Sequence, residues 1–315
     1  MVLYAGQDPG PGYGDGRTAV AVDATSVYWT AINPDATTGG TVMKAPLCGG
    51  TVTTLATTTF VSSYVVVQAL AVDASNVYWM SRDEAAGAPG GQIMMVPLGG
   101  GPSTPIASEQ LPDALAVDAT SVYWTDERTG TVMKAPLAGG APVTLGPGFG
   151  QGVGSVAVDT TGVYWWTNNR GILKVALAGG QLQTLVPETS NNATVGALVV
   201  SGGSLYWASA VVQSGGDETS ISSVPLSGGT PTTLATDPSQ VGSIAVDGAD
   251  VYWLSAACAT GSCRGIVKKV AVGGGTPVTV ASGWAISMYS RGSIAVDTTS
   301  VYWTSGNTVM KMTPK

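Results

Sequence analysis

Short hydrophobic runs alternate with small and polar residues along the whole chain. In the copy at 114–145, the runs 114–118, 122–125, 131–137 and 142–145 are separated by turn-forming stretches. Four such runs joined by tight turns are typical of an antiparallel meander, whose strands we label a to d. Strands a and b are apolar on both faces, so we expect both faces to be covered by neighbouring sheets.

Strand b carries a motif of a hydrophobic residue, Tyr and Trp that recurs at steps of 41 to 50 residues. A period of this size indicates a closed array of small sheets, and seven copies fill almost all of the 315 residues. The abundance of Gly and Pro favours tight turns over long helices. The seven copies are Val27-Tyr28-Trp29, Val77-Tyr78-Trp79, Val122-Tyr123-Trp124, Val163-Tyr164-Trp165, Leu205-Tyr206-Trp207, Val251-Tyr252-Trp253 and Val301-Tyr302-Trp303.

The segment Tyr123-Trp124-Thr125-Asp126 matches the YWTD motif in full. With the preceding Ala-Val-Asp and the following Pro-Leu-x-Gly-Gly, the chain resembles a YWTD-type or NHL-like β-propeller. This resemblance implies an all-β propeller fold of four-stranded antiparallel blades, and the count of seven copies makes it a seven-bladed β-propeller in one domain, 1–315. Receptor-type YWTD propellers usually have six blades, so receptor-like ligand binding does not carry over. The expected blades are 19–56, 69–107, 114–146, 155–186, 197–235, 243–281 and 293–315 plus 1–6.

The seventh copy ends after strand c and has no strand d of its own. Residues 2–5, Val-Leu-Tyr-Ala, precede the first strand a and have no other role in the repeat. We therefore expect the N-terminal strand to complete the last blade and close the ring, which removes open sheet edges.

Two spacings stay constant while two vary. The end of strand a lies six residues before the motif Trp in every copy, as from Asp118 to Trp124, and strands c and d keep an eight-residue spacing. The b–c and d–a connections differ in length between copies. In a meander, the a–b and c–d turns share one face, which we call the turn face; the b–c and d–a connections share the other, the loop face. Because binding concentrates in loops on rigid scaffolds, we expect ligands at the loop face.

Composition excludes several classes of function. The net charge of −7 and the pI of about 4.4 disfavour nucleic-acid binding. No apolar run approaches the roughly 20 residues that a membrane helix needs, so no membrane insertion is expected. The chain contains no histidine, which removes the Ser-His-Asp triad and histidine metal sites.

The three cysteines of the chain give evidence on the cellular compartment of the protein. Cys258 and Cys263 flank four residues in one inserted loop, and we expect a disulfide between them. Such a bridge indicates an oxidising environment and hence an extracytoplasmic or secreted protein, although the sequence begins without a recognisable signal peptide. Cys48 lies at a position that is small in the sister repeats and is expected to be a free thiol.

The repeated residues have structural interpretations. Six copies end strand a with Asp, whose side chain suits backbone hydrogen bonds in the following turn. The Tyr-Trp pairs are expected to pack in the core rather than form a stacking ladder for ligands. The Gly-Gly pairs after strand c are turn residues, because no phosphate-loop motif follows.

The candidate ligand-binding residues are polar and aromatic side chains of the loop face. Trp166 stands where other copies have Thr, Met, Ala or Leu, and Trp284 lies in a d–a loop outside the strand motif. An exposed Trp beside Asn and Arg suits a sugar or a peptide, and the alternative is that each Trp packs locally. Residues expected at the tunnel mouth are Arg17, Gln68, Asp113 and Arg291. The ligand-binding candidates are Trp166, Asn168, Arg170, Trp284, Tyr289, Arg291, Asp126, Arg128 and Arg82.

Asp113 and Asp126 form the nearest pair of acids for a calcium site. This site is a weak candidate, because calcium needs several oxygen ligands, and no other cofactor is expected.

The first functional hypothesis is a non-enzymatic, monomeric module that binds a peptide, glycan or protein at the loop face. The second is a metal-dependent hydrolase resembling gluconolactonase, with an axial site of Glu, Asn and Asp. Seven-bladed propellers that resemble virginiamycin B lyase use histidine and a metal, and this chain has no histidine, so that activity is not expected. The third is a structural domain of a larger secreted or surface protein.

Overall fold

The computed structural model describes most of the chain as strands and turns. The described residues are 2–5, 18–32, 40–58, 65–83, 90–148, 152–168, 170–188, 193–211, 218–239, 241–259, 262–286, 292–306 and 308–315. Within these ranges the chain forms 28 strands and no helix. Accordingly, the described part of the chain contains no helix with the length and apolar character to cross a membrane.

The strands form seven sheets of four, each of which we call a blade. Blade one contains β2 (Val20–Val22), β3 (Ser26–Ile32), β4 (Gly40–Pro46) and β5 (Thr53–Thr57). Blade two contains β6 (Val65–Val72), β7 (Asn76–Asp83), β8 (Gly91–Pro97) and β9 (Thr104–Gln110). Blade three contains β10 (Pro112–Val117), β11 (Ser121–Asp126), β12 (Thr131–Pro136) and β13 (Val143–Gly146). Blade four contains β14 (Val153–Val158), β15 (Val163–Thr167), β16 (Gly171–Val175) and β17 (Gln183–Val186).

The remaining three blades include the ring closure. Blade five contains β18 (Ala193–Ser201), β19 (Ser204–Val211), β20 (Glu218–Pro225) and β21 (Thr232–Asp237). Blade six contains β22 (Ile244–Val246), β23 (Asp250–Ala259), β24 (Ser262–Ala271) and β25 (Val278–Ile286). Blade seven contains β26 (Ile294–Val296), β27 (Val301–Ser305), β28 (Thr308–Met312) and the N-terminal β1 (Val2–Ala5).

Each blade is an antiparallel meander, and the N-terminal strand closes the last one. β1 pairs with β28 through Val2 opposite Met310 and Ala5 opposite Thr308. The ring of seven four-stranded blades is a seven-bladed β-propeller, and the predicted closure by the N-terminal strand is confirmed.

The motif residues hold the blades together because consecutive side chains of strand b point to opposite sides of the blade. Tyr28 of blade one and Trp79 of blade two belong to the same buried cluster, and Tyr302 of blade seven packs with Trp29 of blade one. Burying such a pair stabilises a blade contact by several kcal/mol before entropy is subtracted. The seven hydrophobic clusters each join two neighbouring blades.

Candidate functional site

The aspartate that ends strand a closes the a–b turn on the turn face. Oδ1 of Asp23 accepts hydrogen bonds from the backbone N–H groups of Thr25 (2.7 Å) and Ser26 (2.8 Å). The predicted turn role of these aspartates is confirmed. The same pair of bonds is made by Asp73, Asp118, Asp159, Asp247 and Asp297.

The same aspartates also accept a hydrogen bond from the motif tyrosine, which sequence analysis did not predict. The hydroxyl of Tyr28 donates to Oδ2 of Asp23 over 2.7 Å, and that of Tyr78 donates to Asp73 over 2.8 Å. Burial and this bond to the carboxylate raise the pKa of Tyr78 to about 12. Burial opposes ionisation of Asp23, but hydrogen bonds from the turn and from Tyr28 outweigh it, so its pKa lies below the usual value.

Five blades also pair the motif tyrosine with a lysine directly opposite on strand c. Nζ of Lys44 lies 5.5 Å from the centre of the Tyr28 ring and donates to the carbonyl of Leu98 in the next blade over 2.9 Å. Such a contact combines a cation–π interaction with a bond between blades. We call these arrangements Tyr–Lys pairs. They are Tyr28–Lys44, Tyr123–Lys134, Tyr164–Lys174, Tyr252–Lys269 and Tyr302–Lys311.

The lysine Nζ of three further pairs bonds to the next blade in the same way, through the carbonyls of Leu177, Leu226 and Leu47. Blade six differs, because Nζ of Lys269 binds Asp250 of its own blade over 2.9 Å. There the contact with blade seven is made by Lys315, whose Nζ lies 2.6 Å from Oδ2 of Asp247 and also bonds to the carbonyl of Asp297. Although burial works against it, the bond from Lys315 lowers the pKa of Asp247 to about 2.

On the loop face, a threonine that follows the motif Trp holds the start of strand a. Oγ1 of Thr30 accepts from the N–H of Ala19 over 2.8 Å, and Oγ1 of Thr304 accepts from Ser293 over 2.8 Å. Asp126 has a similar bridging role, because its Oδ2 accepts from the N–H of Leu111 over 2.9 Å. Its other oxygen accepts from the N–H and hydroxyl of Thr129, and Asp126 is 3 % exposed. Its carboxylate is therefore engaged in holding loops.

The two candidate tryptophans pack against neighbouring blades. Trp166 is 6 % exposed and lies in the buried cluster between blades four and five, so the expectation of an exposed ring is wrong for Trp166. Trp284 is partly buried and its ring lies 5.0 Å from that of Trp303. Gly265 makes room for it, because a Cβ there would lie 2.1 Å from Cε2 of Trp284.

Other candidates are exposed on the loop face. Asn168 and Arg170 lie in the b–c connection of blade four, and Arg128 lies in that of blade three. Asp113 is partly buried and interacts with other residues. The side chains of Arg82 and Gln68, and the whole of Arg17, Tyr289 and Arg291, lie outside the described residues.

Among the described residues, strands b and c are longest in blade six, where they continue toward the loop face. β23 and β24 each have 10 residues, against 6 for β11 and for β12 of blade three. At the end of this hairpin, Cys258 lies opposite Cys263 in the strand register. Cys263 is disulfide-bonded, while Cys48 is free and exposed. The side chain of Cys258 lies outside the described residues, so its role as the partner stays a prediction that the register favours.

A buried polar cluster joins blades five and six near the loop face. Asp237 ends β21, and its side chain is 0 % exposed. Its Oδ2 accepts from Nζ of Lys268 (2.8 Å) and Nε1 of Trp253 (2.8 Å), and its Oδ1 accepts from the hydroxyls of Ser239 (2.5 Å) and Ser255 (2.8 Å). Burial raises the pKa of this carboxyl, but the bonds from Lys268 and the other donors outweigh it and hold the pKa below the usual value.

This cluster was not predicted from the sequence, although one residue of strand c departs from the repeat there. Lys268 stands opposite the motif Trp on strand c, where sister blades have Met43, Met94 and Met133. A charged side chain at a repeat position that is otherwise apolar needs a buried partner of opposite charge.

Metal ligands do not converge in the part of the chain that the structure describes, where no group of three or more Cys, Asp or Glu side chains could hold an ion. The weak calcium candidates, Asp113 and Asp126, are not brought into such a group.

Most lysines lie on the turn face. Six of the seven lysines lie there against seven aspartates, so that face accounts for −1 of the net charge of −7, and the seventh, Lys268, belongs to the Asp237 cluster. Arg128, Arg170 and Arg264, the arginines whose side chains are described, are exposed at the loop face. The six lysines are Lys44, Lys134, Lys174, Lys269, Lys311 and Lys315, and the seven aspartates are Asp23, Asp73, Asp118, Asp159, Asp247, Asp250 and Asp297.

No protein-family model matches this chain, and no curated protein matches it. Many solved structures resemble it, and three of them are described next. The computationally designed Ika8 protein superposes with a TM-score of 0.60 over 98 % of this chain and 100 % of its own, at 14 % identity. A chain of a nidogen/laminin complex superposes with a TM-score of 0.53 over 71 % of this chain and 86 % of its own, at 19 % identity. TolB from Acinetobacter baumannii superposes with a TM-score of 0.53 over 82 % of this chain and 66 % of its own, at 12 % identity. At such identities these likenesses show the β-propeller fold.

Proposed function

We propose that this protein is a non-enzymatic binding module whose loop face takes a protein partner or a peptide segment of one. The contrast between the two faces carries the proposal. On the turn face, the repeated Asp, Tyr and Lys side chains bond to one another and to neighbouring blades. On the loop face, Arg128, Asn168 and Glu218 are exposed at the ends of rigid strands.

The geometry of blade six supports the same face. Its hairpin extends about four residues beyond the equivalent strands of blade three, or about 13 Å at the usual rise per residue. Such an extension shapes one side of the face without a change to the ring. One structural neighbour is a chain of a nidogen/laminin complex, and this supports a protein as the class of partner. The disulfide of Cys263 favours an extracytoplasmic or secreted setting.

A position-specific crosslinking experiment tests the proposal. The photo-crosslinking residue p-benzoylphenylalanine is placed at Arg128 on the loop face, or at Thr120 in the a–b turn of the same blade. Both positions are exposed in blade three, so Thr120 is a matched control. Each variant is incubated with extracellular and surface proteins of the source organism, and crosslinked partners are identified by mass spectrometry.

We expect the same partner to crosslink repeatedly from position 128 and not from position 120. Unlabelled protein should compete with this crosslink, and the Arg128→Glu variant should compete less well. Crosslinking from position 120 alone would show that the loop face is not the binding face, and equal crosslinking from both positions would contradict specific binding at the loop face. Binding to a glycan array that is lost in Arg128→Glu, without a protein crosslink, would instead favour a glycan ligand.

A further inference from the structure

Blade five has no Tyr–Lys pair, because its lysine is replaced by a much smaller residue. Ser223 lies directly opposite Tyr206, in the register position that Lys44 takes opposite Tyr28. The aspartate is replaced as well: Ser201 starts this turn, which Gly202 and Gly203 complete at φ of 56° and 78°. Tyr206 is 7 % exposed, whereas the other six motif tyrosines are at most 1 % exposed.

The other components of the lysine site are still present beside Tyr206. In blade one, the N–H of Leu47 bonds to the carbonyl of Thr25, and the carbonyl of Leu47 accepts from the lysine of the preceding blade. Val272 is its equivalent in blade six, since its N–H bonds to the carbonyl of Ala249. Val272 also packs in the same cluster as Tyr206. No described lysine reaches the carbonyl of Val272, because the strand position that would carry that lysine is Ser223.

Blade two shows what a filled position looks like. Met95 lies opposite Tyr78, and a methionine is nearly as long as a lysine. Tyr78 remains 0 % exposed, so this space is occupied. The shortened side chain and the more exposed ring occur together only in blade five among the described residues.

Blades five and six do not depend on a lysine at this place. The Asp237 cluster joins them from the other face through Lys268 and Trp253. The contact between the two blades is thus made elsewhere, and no lysine among the described residues takes the position opposite Tyr206, which Ser223 occupies.

We propose that the cleft formed by Tyr206, Ser223 and the carbonyl of Val272 binds a primary alkylammonium group, such as the side chain of a lysine from a partner protein. Five sister blades hold such a group with Nζ 5.2 to 5.6 Å from the tyrosine ring centre. The ring face attracts the cation, the carbonyl accepts one of its protons, and the short Ser223 side chain leaves room for the alkyl chain. This site lies on the turn face and is independent of the proposed loop-face function.

Tyrosine-labelled protein provides the measurement. ¹³C signals of the tyrosine rings are recorded while n-butylammonium chloride is added, and the Tyr206 signal is assigned with Tyr206→Phe. We expect saturable shifts of the Tyr206 signal with a dissociation constant in the millimolar range, because a single cation–π contact is weak. n-Butanol has the same alkyl chain without the charge, and it should shift the Tyr206 signal at least fivefold less than n-butylammonium does. Nα-acetyl-lysine N-methylamide tests whether a lysine within a peptide also enters.

Ser223→Lys is the decisive variant, because its own lysine should occupy the cleft. We expect it to abolish the n-butylammonium shifts and to raise the melting temperature. Thr236→Lys adds the same charge at an exposed position of blade five and should leave the shifts unchanged. Unchanged shifts in Ser223→Lys, or equal shifts with n-butanol, would overturn the proposal. Binding of n-butylammonium without binding of the lysine derivative would overturn the assignment to a partner lysine.

Discussion

The indole N–H of Trp253 donates to Oδ2 of Asp237 over 2.8 Å and so joins strand b of blade six to strand d of blade five. In five sister blades the indole N–H is buried and has no partner among the described residues. Asp237 thus satisfies a donor that the repeat otherwise leaves unpaired, and Lys268 balances its charge.

Substituting Asp237→Asn should reduce the free energy of unfolding by about 3 kcal/mol, because it leaves Lys268 without its buried counter-charge. Urea unfolding followed by tryptophan fluorescence measures the change. Lys268→Met should reduce the free energy of unfolding by a similar amount. The double variant Asp237→Thr/Lys268→Met restores the residues found at Thr58 and Met94, and it should be more stable than either single variant. Additive losses would mean that the two groups do not act as a pair.

The bond between Lys315 and Asp247 should make stability depend on acid pH. The folded-state pKa of Asp247 is about 2, below the ordinary value of 3.8, so the stabilisation is present above pH 4 and is lost as the pH falls toward 2. Urea midpoints measured between pH 7 and pH 2.5 should therefore fall less steeply for Asp247→Asn than for the parent. Parallel curves would indicate that this carboxyl has the same pKa in the unfolded chain.

Removing a turn aspartate should destabilise its blade. In Asp118→Ala, the N–H groups of Thr120 and Ser121 and the hydroxyl of Tyr123 lose their acceptor, so we expect a loss of about 2 kcal/mol by urea unfolding. Asp118→Asn keeps one carbonyl oxygen for the turn and should lose about half as much. An Ala variant as stable as the parent would mean that solvent replaces these bonds without cost.

Met95→Lys should create a sixth Tyr–Lys pair. The new Nζ would lie over Tyr78 within reach of the carbonyl of Leu137, whose N–H makes the same turn bond as that of Leu98. We expect a gain of about 0.5–1 kcal/mol and a melting temperature about 2 °C higher by calorimetry. The neighbouring Met94→Lys is the control, since Met94 packs in the cluster around Trp79 and the charge there should destabilise the ring.

Closure by the N-terminal strand depends on Tyr4, whose ring lies 5.2 Å from that of Trp29. Tyr4→Ala should lower the free energy of unfolding by about 2 kcal/mol, and deletion of residues 1–6 should lower the melting temperature sharply. Val2→Ala provides the control, because Val2 is 51 % exposed and should change stability little. A truncated chain with an unchanged melting temperature would contradict closure by this strand.

The recurrence of the Val-Tyr-Trp motif was sufficient to predict seven blades, the a–b turn aspartates and the closing strand. The blades and their turns are local and repeated, so each copy supports the others, and the closing strand was predicted because the seventh copy lacks strand d. The sequence also showed the lysine of Met-Lys-Ala-Pro-Leu, as at Lys44, but its role depends on a carbonyl in the next blade, 54 residues away.

The tertiary structure decided which deviations from the repeat are packed and which are exposed. Trp166 looked available to a ligand because it departs from the repeat, yet the adjacent blade buries it. Asp237 and Lys268 are far apart in sequence and meet only because blades five and six are neighbours. Ser223 by itself is one small residue in a strand. It becomes a candidate site because it lies opposite Tyr206 and because Val272 of the next blade packs in the same cluster as that ring. Contacts between blades are set by ring geometry rather than by any local pattern.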